Sequence, residues 1–212
     1  MKQKIKNLFN LLKLFKTLNV LTKRNLPIYT NNNNNGIKVH IGSGDINLQG
    51  WINIDARNFE HVHIVTNDIS LNEFKDNSIE EIYLCHVLEH ISFNDSENFI
   101  EKMYTKLRPG GILRISVPSF DSIVQIYENN SKNLNIVKYA LMGGQDYEYN
   151  FHKSIYNYDT LKNIFSNKKF VNINTWDTEK DFGISIGDWS DRSFKSQKGP
   201  IQISLNIKGQ RI

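Results

Sequence analysis

Two glycines and an aspartate lie where a nucleoside ligand could be held. Gly42 and Gly44 follow the apolar and β-branched run 38–41, so they end a predicted buried strand and allow close backbone approach to a ligand. Asp55 closes a second short apolar run, 51–54, which places its carboxylate at the carboxyl end of the next strand. A carboxylate there can accept hydrogen bonds from both hydroxyls of a ribose, and ligands of open α/β sheets bind at this edge. The pattern predicts a site for a nucleoside-bearing cofactor.

A third predicted strand, 61–65, leads to another aspartate, Asp68, which is followed by Ile69. An acid that accepts an exocyclic amine, next to an apolar side chain that covers a flat ring, is typical of an adenine contact. The cap of a short turn explains Asp68 equally well. His61 and His63 alternate on this strand without partners at metal-ligand spacing, so we interpret them as solvated side chains.

The whole chain bounds the elements that must position these residues. Its 212 residues suffice for one α/β domain with a full core. A net charge of +4 is mild and concentrated near the N-terminus, which argues against nucleic acid as a partner. Cys85 is the only cysteine, so an internal disulfide and a cysteine-based zinc cluster are excluded. The sequence contains no run of about 20 apolar residues that would predict a membrane-spanning helix.

The first 35 residues differ in composition from the rest of the chain. Residues 1–24 predict an amphipathic basic helix, with leucines on one side and lysines opposite. It could dock on the domain or on a second copy of the chain, contact a membrane surface, or serve as a targeting peptide. Residues 31–35 are all asparagine and predict a linker, so the main domain is expected at 36–212.

Further motifs follow the predicted fourth strand, 80–85. The acid-rich segment 74–83 leads into His86-Val87-Leu88-Glu89-His90. Downstream, Leu107-Arg108-Pro109-Gly110-Gly111 precedes the apolar run 112–118. Proline and glycine end a helix, and a helix over 95–107 between two strands fits a right-handed crossover.

Three segments resemble class I S-adenosylmethionine-dependent methyltransferases of the type 11 group: the glycine-loop segment 38–55, the segment 74–90 and the segment 107–118. They occur in the family's order, and the resemblance extends over about residues 37–175. A closer likeness is to small predicted methyltransferases associated with surface-polysaccharide gene clusters, which share the wording of 50–55 and an ending like 203–206. The resemblance implies a Rossmann-like three-layer αβα sandwich, with a mostly parallel sheet and an antiparallel strand near the C-terminus. It also implies S-adenosylmethionine as cofactor. The cofactor-binding residues that we predict are Ile41, Gly42, Ser43, Gly44, Asp55, Asp68, Ile69, Cys85 and His86.

Two departures from the family pattern concern the glycine loop. His40 and Asn47 occupy the neighbourhood where many relatives have an acidic residue and a third glycine. Without that glycine, a simple tight turn remains the alternative interpretation of this loop. The first helix must also be very short, so we expect backbone groups at 41–44 and the loop 84–86 to hold the methionine end.

The polar, aromatic segment 141–153 predicts a substrate lid with hinges at Gly143 and Gly144. Within it, His152 is the candidate catalytic base, because imidazole can take a proton near neutral pH. A structural hydrogen bond that anchors the lid is its alternative role. The predicted substrate-binding residues are His90, Tyr147, Tyr149 and Trp189. Glu89 and His90 are the other base candidates, but we expect them to tie loops together by hydrogen bonds instead.

The rest of the chain predicts a helix at 158–166, a sixth strand at 169–176 and a polar loop at 181–199. An antiparallel strand at 201–207 should lie at or near the sheet edge.

The function expected from the sequence is methyl transfer to an unidentified acceptor, with a sugar hydroxyl or another glycan precursor as the first choice. The scheme requires no metal. A nicotinamide-dependent oxidoreductase is the weaker alternative, because the third glycine is missing. A non-catalytic module that acts at a membrane or protein complex through residues 1–24 is another. The expected location is cytoplasmic, with peripheral contact at the inner face of a membrane as the variant.

Overall fold

The computed structural model describes residues 36–196 and 198–212, and the predictions for residues 1–35 lie outside this part. The described chain contains a seven-stranded sheet with strand order β3-β2-β1-β4-β5-β9-β6 and a separate hairpin, β7–β8. In chain order the strands are β1 (Ile37–Ile41), β2 (Ile52–Asp55), β3 (Ile64–Val65), β4 (Ile79–Cys85), β5 (Leu107–Pro118), β6 (Phe170–Thr175), β7 (Ser193–Ser196), β8 (Gly199–Gln202) and β9 (Ser204–Arg211). Strand β9 runs antiparallel to both β5 and β6, and the other pairings in the large sheet are parallel.

Helices follow the later strands. They are α1 (Phe93–Lys106), α2 (Phe120–Asn129), α3 (Leu134–Met142), α4 (Tyr158–Asn167) and α5 (Thr178–Phe182), with 3-10 turns at Leu88–His90 and Trp189–Asp191. No helix in the described ranges has the length and apolar character that crossing a membrane requires.

One face of the sheet carries the main hydrophobic core. Alternate strand residues such as Ile41, Leu84 and Ile115 are buried on this face, and they belong to the same cluster as Ile100 of α1 and Phe165 of α4. Because side chains alternate across a strand, the residues between them must face the other way. Burial of this one face by α1 and α4 explains why the apolar runs of β1, β4 and β5 were recognisable.

The other face is polar and aromatic. Arg114 is buried, with its guanidinium 2.5 Å from a Glu81 oxygen and 2.7 Å from an Asp181 oxygen. The Trp176 indole nitrogen donates to the carbonyls of Ile115 and Ile207. Residues from the 45–51 connection and from the segment containing α5 pack over this face. The predicted Rossmann-like αβα fold is confirmed, with a thin second covering layer.

Several element boundaries differ from the predictions. Between Gly44 and Trp51 the chain forms only turns, because the connection is too short for a helix and its flanking loops. Only Ile64 and Val65 of the third run pair with β2. The segment 107–111 joins β5 through a register irregularity after Leu107, and the predicted polar loop 181–199 contains the end of α5 and most of the hairpin.

The last strand, β9, begins three residues later than predicted and lies one strand inside the sheet edge. Ile201 belongs instead to β8. Gly209 explains part of this placement, since a Cβ there would lie 2.6 Å from Phe165 and 3.0 Å from Phe170. The absence of a side chain lets these two rings pack against the strand.

Candidate active site

Two adjoining cavities open at the carboxyl ends of β1, β2 and β4. The small cavity, of about 280 Å³, has Ile41, Asp55, Thr66, Asn67 and Ile69 in its wall. The large cavity, of about 650 Å³, has Ser43, Asp45, Cys85, His152, Asp188 and Trp189 in its wall. The residues common to both are Gly42, Arg57, His86, His90 and Tyr147. The predicted site residues therefore converge on one edge of the sheet, with Asp68 as the exception.

Asp55 and the glycine loop are bound to each other. One Asp55 oxygen accepts a hydrogen bond from the Gly44 amide at 2.8 Å, and the other accepts from the Arg57 amide at 2.8 Å. Gly42 has a φ of +66°, and a Cβ there would lie 2.3 Å from a Val87 methyl. The loop thus needs glycine for both its backbone angle and its packing. The carboxylate is fixed at the wall of the small cavity as the sequence predicted.

Arg57 is a site residue that the sequence did not reveal. Its Nε lies 3.2 Å from Asp55 Oδ1, and its guanidinium lies 4.8 Å from the Phe59 ring and 5.3 Å from the Tyr147 ring. The side chain is about half exposed. It links the ribose-type carboxylate to the lid, and no motif signals an arginine in this role.

Asp68 lies beside the small cavity but is held in a turn. Its carboxylate accepts hydrogen bonds from the Ser70 amide and the Asn72 side chain. The bonds from Ser70 are the main reason that the pKa of Asp68 is below its ordinary value. The turn cap is thus realised, and Ile69 lines the small cavity. The adenine contact of Asp68 stays a prediction.

His61 and His63 do not behave as two solvated strand residues. The His63 ring accepts a hydrogen bond from the Asn53 amide at 3.0 Å, and His61 stacks on Phe59. These contacts hold the 59–63 segment against β2, where the predicted strand is interrupted. The interpretation of both as solvated strand-face side chains was wrong, because the segment turns before it pairs.

A carboxylate and three imidazoles meet where the two cavities join. Glu89 Oε1 lies 3.3 Å from His86 Nδ1, 4.0 Å from His90 Nε2 and 3.9 Å from His152 Nε2. Glu89 is 1% exposed, and neither carboxylate oxygen has a hydrogen-bond partner among the described residues. Burial raises the pKa of Glu89 to about 8. We call these four residues the His/Glu cluster.

Burial also makes the imidazoles weak bases. It lowers the pKa of His86 to about 3 and that of His152 to about 4, and nearby histidines add to both effects. Burial lowers the pKa of His90 as well. The three rings are therefore neutral near pH 7.

Hydrogen bonds define how the cluster is held. His90 Nδ1 lies 3.1 Å from the Phe151 carbonyl, and His152 Nδ1 lies 3.1 Å from the Ala140 carbonyl. The Glu89 backbone carbonyl accepts from the amides of Lys153 and Ser154. His90 thus ties loops together as predicted. For Glu89 only the backbone does so, and the prediction was wrong for its carboxylate.

The lid closes by way of Gly143. This residue ends α3 with a φ of +77°, and a Cβ there would lie 2.4 Å from the Asn150 carbonyl oxygen. The chain then returns so that the His152 amide donates to the Met142 carbonyl. Tyr147 reaches both cavities, whereas Tyr149 lines the small one. Of the two tyrosines, Tyr147 has the placement expected of a substrate contact.

The floor and side wall of the large cavity involve Cys85 and Trp189. Burial raises the pKa of Cys85 well above its ordinary value, so it is a neutral thiol there. Trp189 stacks on His86 at 5.6 Å, and Arg192 lies over the same indole at 4.4 Å. Asp188 accepts a hydrogen bond from the Tyr83 hydroxyl at 2.5 Å and so anchors this loop. Sequence reasoning missed Asp188 and Arg192.

The roof of the large cavity is a separate apolar cluster. Helix α2 contributes Ile123 and Ile126, α3 contributes Val137, and the hairpin contributes Ile201. Helical spacing places Ile123 and Ile126 on one face of α2. Their partners in α3 and the hairpin depend on long-range packing that periodicity does not report.

Part of the chain also matches a known protein family. Residues 45–115 match the family model described as a methyltransferase domain. The match covers about a third of the chain. The resemblance to class I S-adenosylmethionine-dependent methyltransferases is confirmed by this match together with the fold, and with it S-adenosylmethionine as the cofactor. A search of curated proteins found no significant similarity.

Solved methyltransferases share the fold of this methyltransferase domain at low sequence identity. A protein titled SAM-dependent methyltransferase from Archaeoglobus fulgidus is 15% identical, with a TM-score of 0.50, over 83% of this chain and 86% of its own. A possible histamine N-methyltransferase from Thermotoga maritima is 15% identical, with a TM-score of 0.51, over 84% and 83%. The 1,6-didemethyltoxoflavin-N1-methyltransferase of Burkholderia thailandensis, solved with S-adenosylhomocysteine, is 10% identical, with a TM-score of 0.51, over 83% and 71%.

Proposed function

We propose that this methyltransferase acts on a hydroxyl group of a sugar or another glycan precursor. The observation that carries the proposal is the junction of the two cavities, where Gly42 and His86 belong to both walls. A cofactor held at Asp55 and an acceptor held under the roof would meet there, beside the His/Glu cluster. We propose the following roles for the residues of each cavity.

The small cavity suits the nucleoside half of the cofactor. Asp55 offers a buried carboxylate in its wall, and each oxygen retains acceptor capacity beyond its present bonds. Ile69 offers an apolar surface for a flat base. Gly42 leaves room that a side chain would fill. The residues present therefore fit S-adenosylmethionine.

The near part of the large cavity suits the amino-acid end of the cofactor. Ser43 is buried there, and its hydroxyl has no hydrogen-bond partner among the described residues. Asp45 presents an exposed carboxylate in the same wall, which suits an α-amino group. When bound, S-adenosylmethionine supplies a methyl group that its sulfonium has already activated.

The far part of the large cavity suits a sugar ring. Tyr139, Tyr147 and Trp189 line it and remain at least 40% exposed, and their faces offer apolar surfaces with polar edges. Beside them, the His/Glu cluster includes His152, the candidate base for a hydroxyl proton. Alignment of the acceptor can contribute roughly 7 to 11 kcal/mol to lowering such a barrier.

Calorimetry on the full-length chain with S-adenosylmethionine, S-adenosylhomocysteine and NAD tests the cofactor site. We expect both sulfur nucleosides to bind and NAD not to bind. A folded protein that binds neither sulfur nucleoside would contradict the proposal.

The acceptor is tested by following S-adenosylhomocysteine release with a panel of nucleotide-linked sugars, phenols and amines. We expect turnover with sugars. His152→Ala should lose most of this turnover and keep its cofactor affinity, since His152 lines only the large cavity. Turnover confined to amines would refute a hydroxyl acceptor.

A further inference from the structure

The His/Glu cluster turns three ring nitrogens and the unpaired carboxyl group of Glu89 toward a common centre. A backbone carbonyl cannot donate, so the Nδ1 atoms of His90 and His152, each 3.1 Å from a carbonyl oxygen, must carry the protons of those rings. Each Nε2 is therefore the ring nitrogen that is left for a ligand at the centre. These two nitrogens face the Glu89 carboxylate at 4.0 and 3.9 Å.

Hydrogen bonds also determine which nitrogen of His86 faces the cluster. Its Nε2 lies 2.8 Å from the Ser204 hydroxyl oxygen. That hydroxyl donates its own proton to the Trp189 carbonyl at 2.8 Å, so His86 Nε2 must be the donor. The nitrogen of His86 that faces the cluster is then Nδ1, which lies 3.3 Å from Glu89 Oε1.

The carboxyl group of Glu89 is buried without a partner. Neither of its oxygens has a hydrogen-bond partner among the described residues, and such burial is costly. A single proton on Glu89 can form a hydrogen bond with only one ring at a time. A cation at the centre satisfies several of these atoms at once.

The spacing fits coordination by protein side chains. One ligand atom each from Glu89, His90 and His152 lies within 4.8 Å of the other two. Metal–nitrogen bonds of about 2.0–2.1 Å place two ligand atoms of a tetrahedral site roughly 3.4 Å apart. The two distances from Glu89 are within about 0.6 Å of that value, so small side-chain rotations would complete the site. Metal-ligating histidines also usually donate their other N–H to a carbonyl or carboxylate, as His90 and His152 do.

We propose that Glu89, His90 and His152 bind one divalent transition-metal ion in the wall of the large cavity. Two imidazoles and a carboxylate suit Zn²⁺, Fe²⁺ or Co²⁺, whereas Mg²⁺ and Ca²⁺ prefer oxygen ligands. Three protein ligands leave a coordination position open. This site differs from the sequence expectation, in which no metal was required.

The role of the ion rests on the proposed function. An acceptor hydroxyl at the open position would become more acidic, so its proton would leave before the oxygen attacks the methyl carbon. The carbon–sulfur bond would break as the oxygen–carbon bond forms, and the metal would undergo no change in oxidation state. The released proton would pass to solvent through the mouth of the large cavity.

The test uses the full-length chain, freed of metal by dialysis against a chelator and titrated with Zn²⁺ and with Co²⁺. We expect one high-affinity ion per chain and a Co²⁺ absorption spectrum typical of nitrogen and oxygen ligands. Glu89→Gln and His152→Ala should each weaken binding at least 100-fold. His61→Ala is the matched control, because its ring stacks on Phe59 outside the cluster.

The control should bind the ion as the wild type does. No stoichiometric binding by the wild type, or equal binding by the cluster variants, would overturn the site. Circular dichroism and S-adenosylhomocysteine affinity identify any variant that fails to fold. A protein that binds S-adenosylhomocysteine but no metal refutes the metal site alone. One that binds the metal but no sulfur nucleoside refutes the proposed function alone.

Discussion

Replacing Asp55 with alanine tests the link between the glycine loop and the cofactor. The buried carboxylate accepts hydrogen bonds from the amides of Gly44 and Arg57, both at 2.8 Å. Hydrogen bonds to a charged group contribute about 1.5–3 kcal/mol. If ribose hydroxyls use this carboxylate, Asp55→Ala should weaken S-adenosylhomocysteine binding roughly 10- to 100-fold, since about 1.4 kcal/mol is one factor of ten.

The same variant should lose stability. Each amide left without its acceptor costs about 1–3 kcal/mol. Water from the adjoining cavity can reach both, so the lower end applies and the expected loss is about 2 kcal/mol. Urea denaturation measures this loss, and calorimetry on the fully folded variant measures the affinity.

Asp159→Ala is the matched control. Asp159 is an exposed acid in the first turn of α4 and lines neither cavity. It should change the cofactor affinity by less than twofold. If Asp55→Ala also binds S-adenosylhomocysteine within twofold of the wild type, the ribose role of this carboxylate is refuted.

Three further perturbations test other parts of the domain. Gly42→Ala should lower both stability and S-adenosylhomocysteine affinity. The control Gly183→Ala, at a glycine with a similar φ but open space around it, should cost only about 1–2 kcal/mol of stability. Equal effects of the two variants in denaturation and calorimetry would refute the packing argument. Burial lowers the pKa of His40 to about 4 from 6.5, so the unfolded chain binds more protons and His40 reduces stability as pH falls from 6.5 towards 4, by up to about 1.4 kcal/mol per pH unit. His40→Gln should flatten that dependence in urea denaturation, and an unchanged slope would contradict the shift. Arg114→Leu should cost about 3 kcal/mol, the lower end for a broken buried pair, because Glu81 and Asp181 lose the guanidinium but keep Lys38 and Lys208 as partners. Arg108→Leu, at an exposed ion pair, should cost under about 1 kcal/mol.

The sheet and the cofactor acid were predictable because their signals are local. Asp55 follows an apolar run directly, and glycines mark the preceding turn, so no long-range information was needed to place them at one sheet edge. The polar face of the sheet was harder to predict from the sequence. His40 and Arg114 alternate with buried apolar residues, yet the loop segments that cover them are remote in the chain and carry no periodic pattern.

The His/Glu cluster shows where sequence reasoning ends. His152 was predicted to be the candidate base, and His90 to be a substrate-binding residue. Their protonation pattern, however, depends on the carbonyls of Ala140 and Phe151, which only the folded lid brings to the rings. The unpaired carboxylate of Glu89 is likewise a property of burial, which a motif cannot report.

Arg57 implies an order in which the two ligands should enter. Its guanidinium shares Asp55 with the glycine loop while lying 5.3 Å from the Tyr147 ring. A ribose that takes over the Asp55 oxygen releases this guanidinium to the lid tyrosine, which lines the acceptor cavity. The acceptor cavity would then reach its final shape only after the nucleoside is in place. Steady-state kinetics should show a sequential mechanism in which the methyl donor binds first and S-adenosylhomocysteine leaves last.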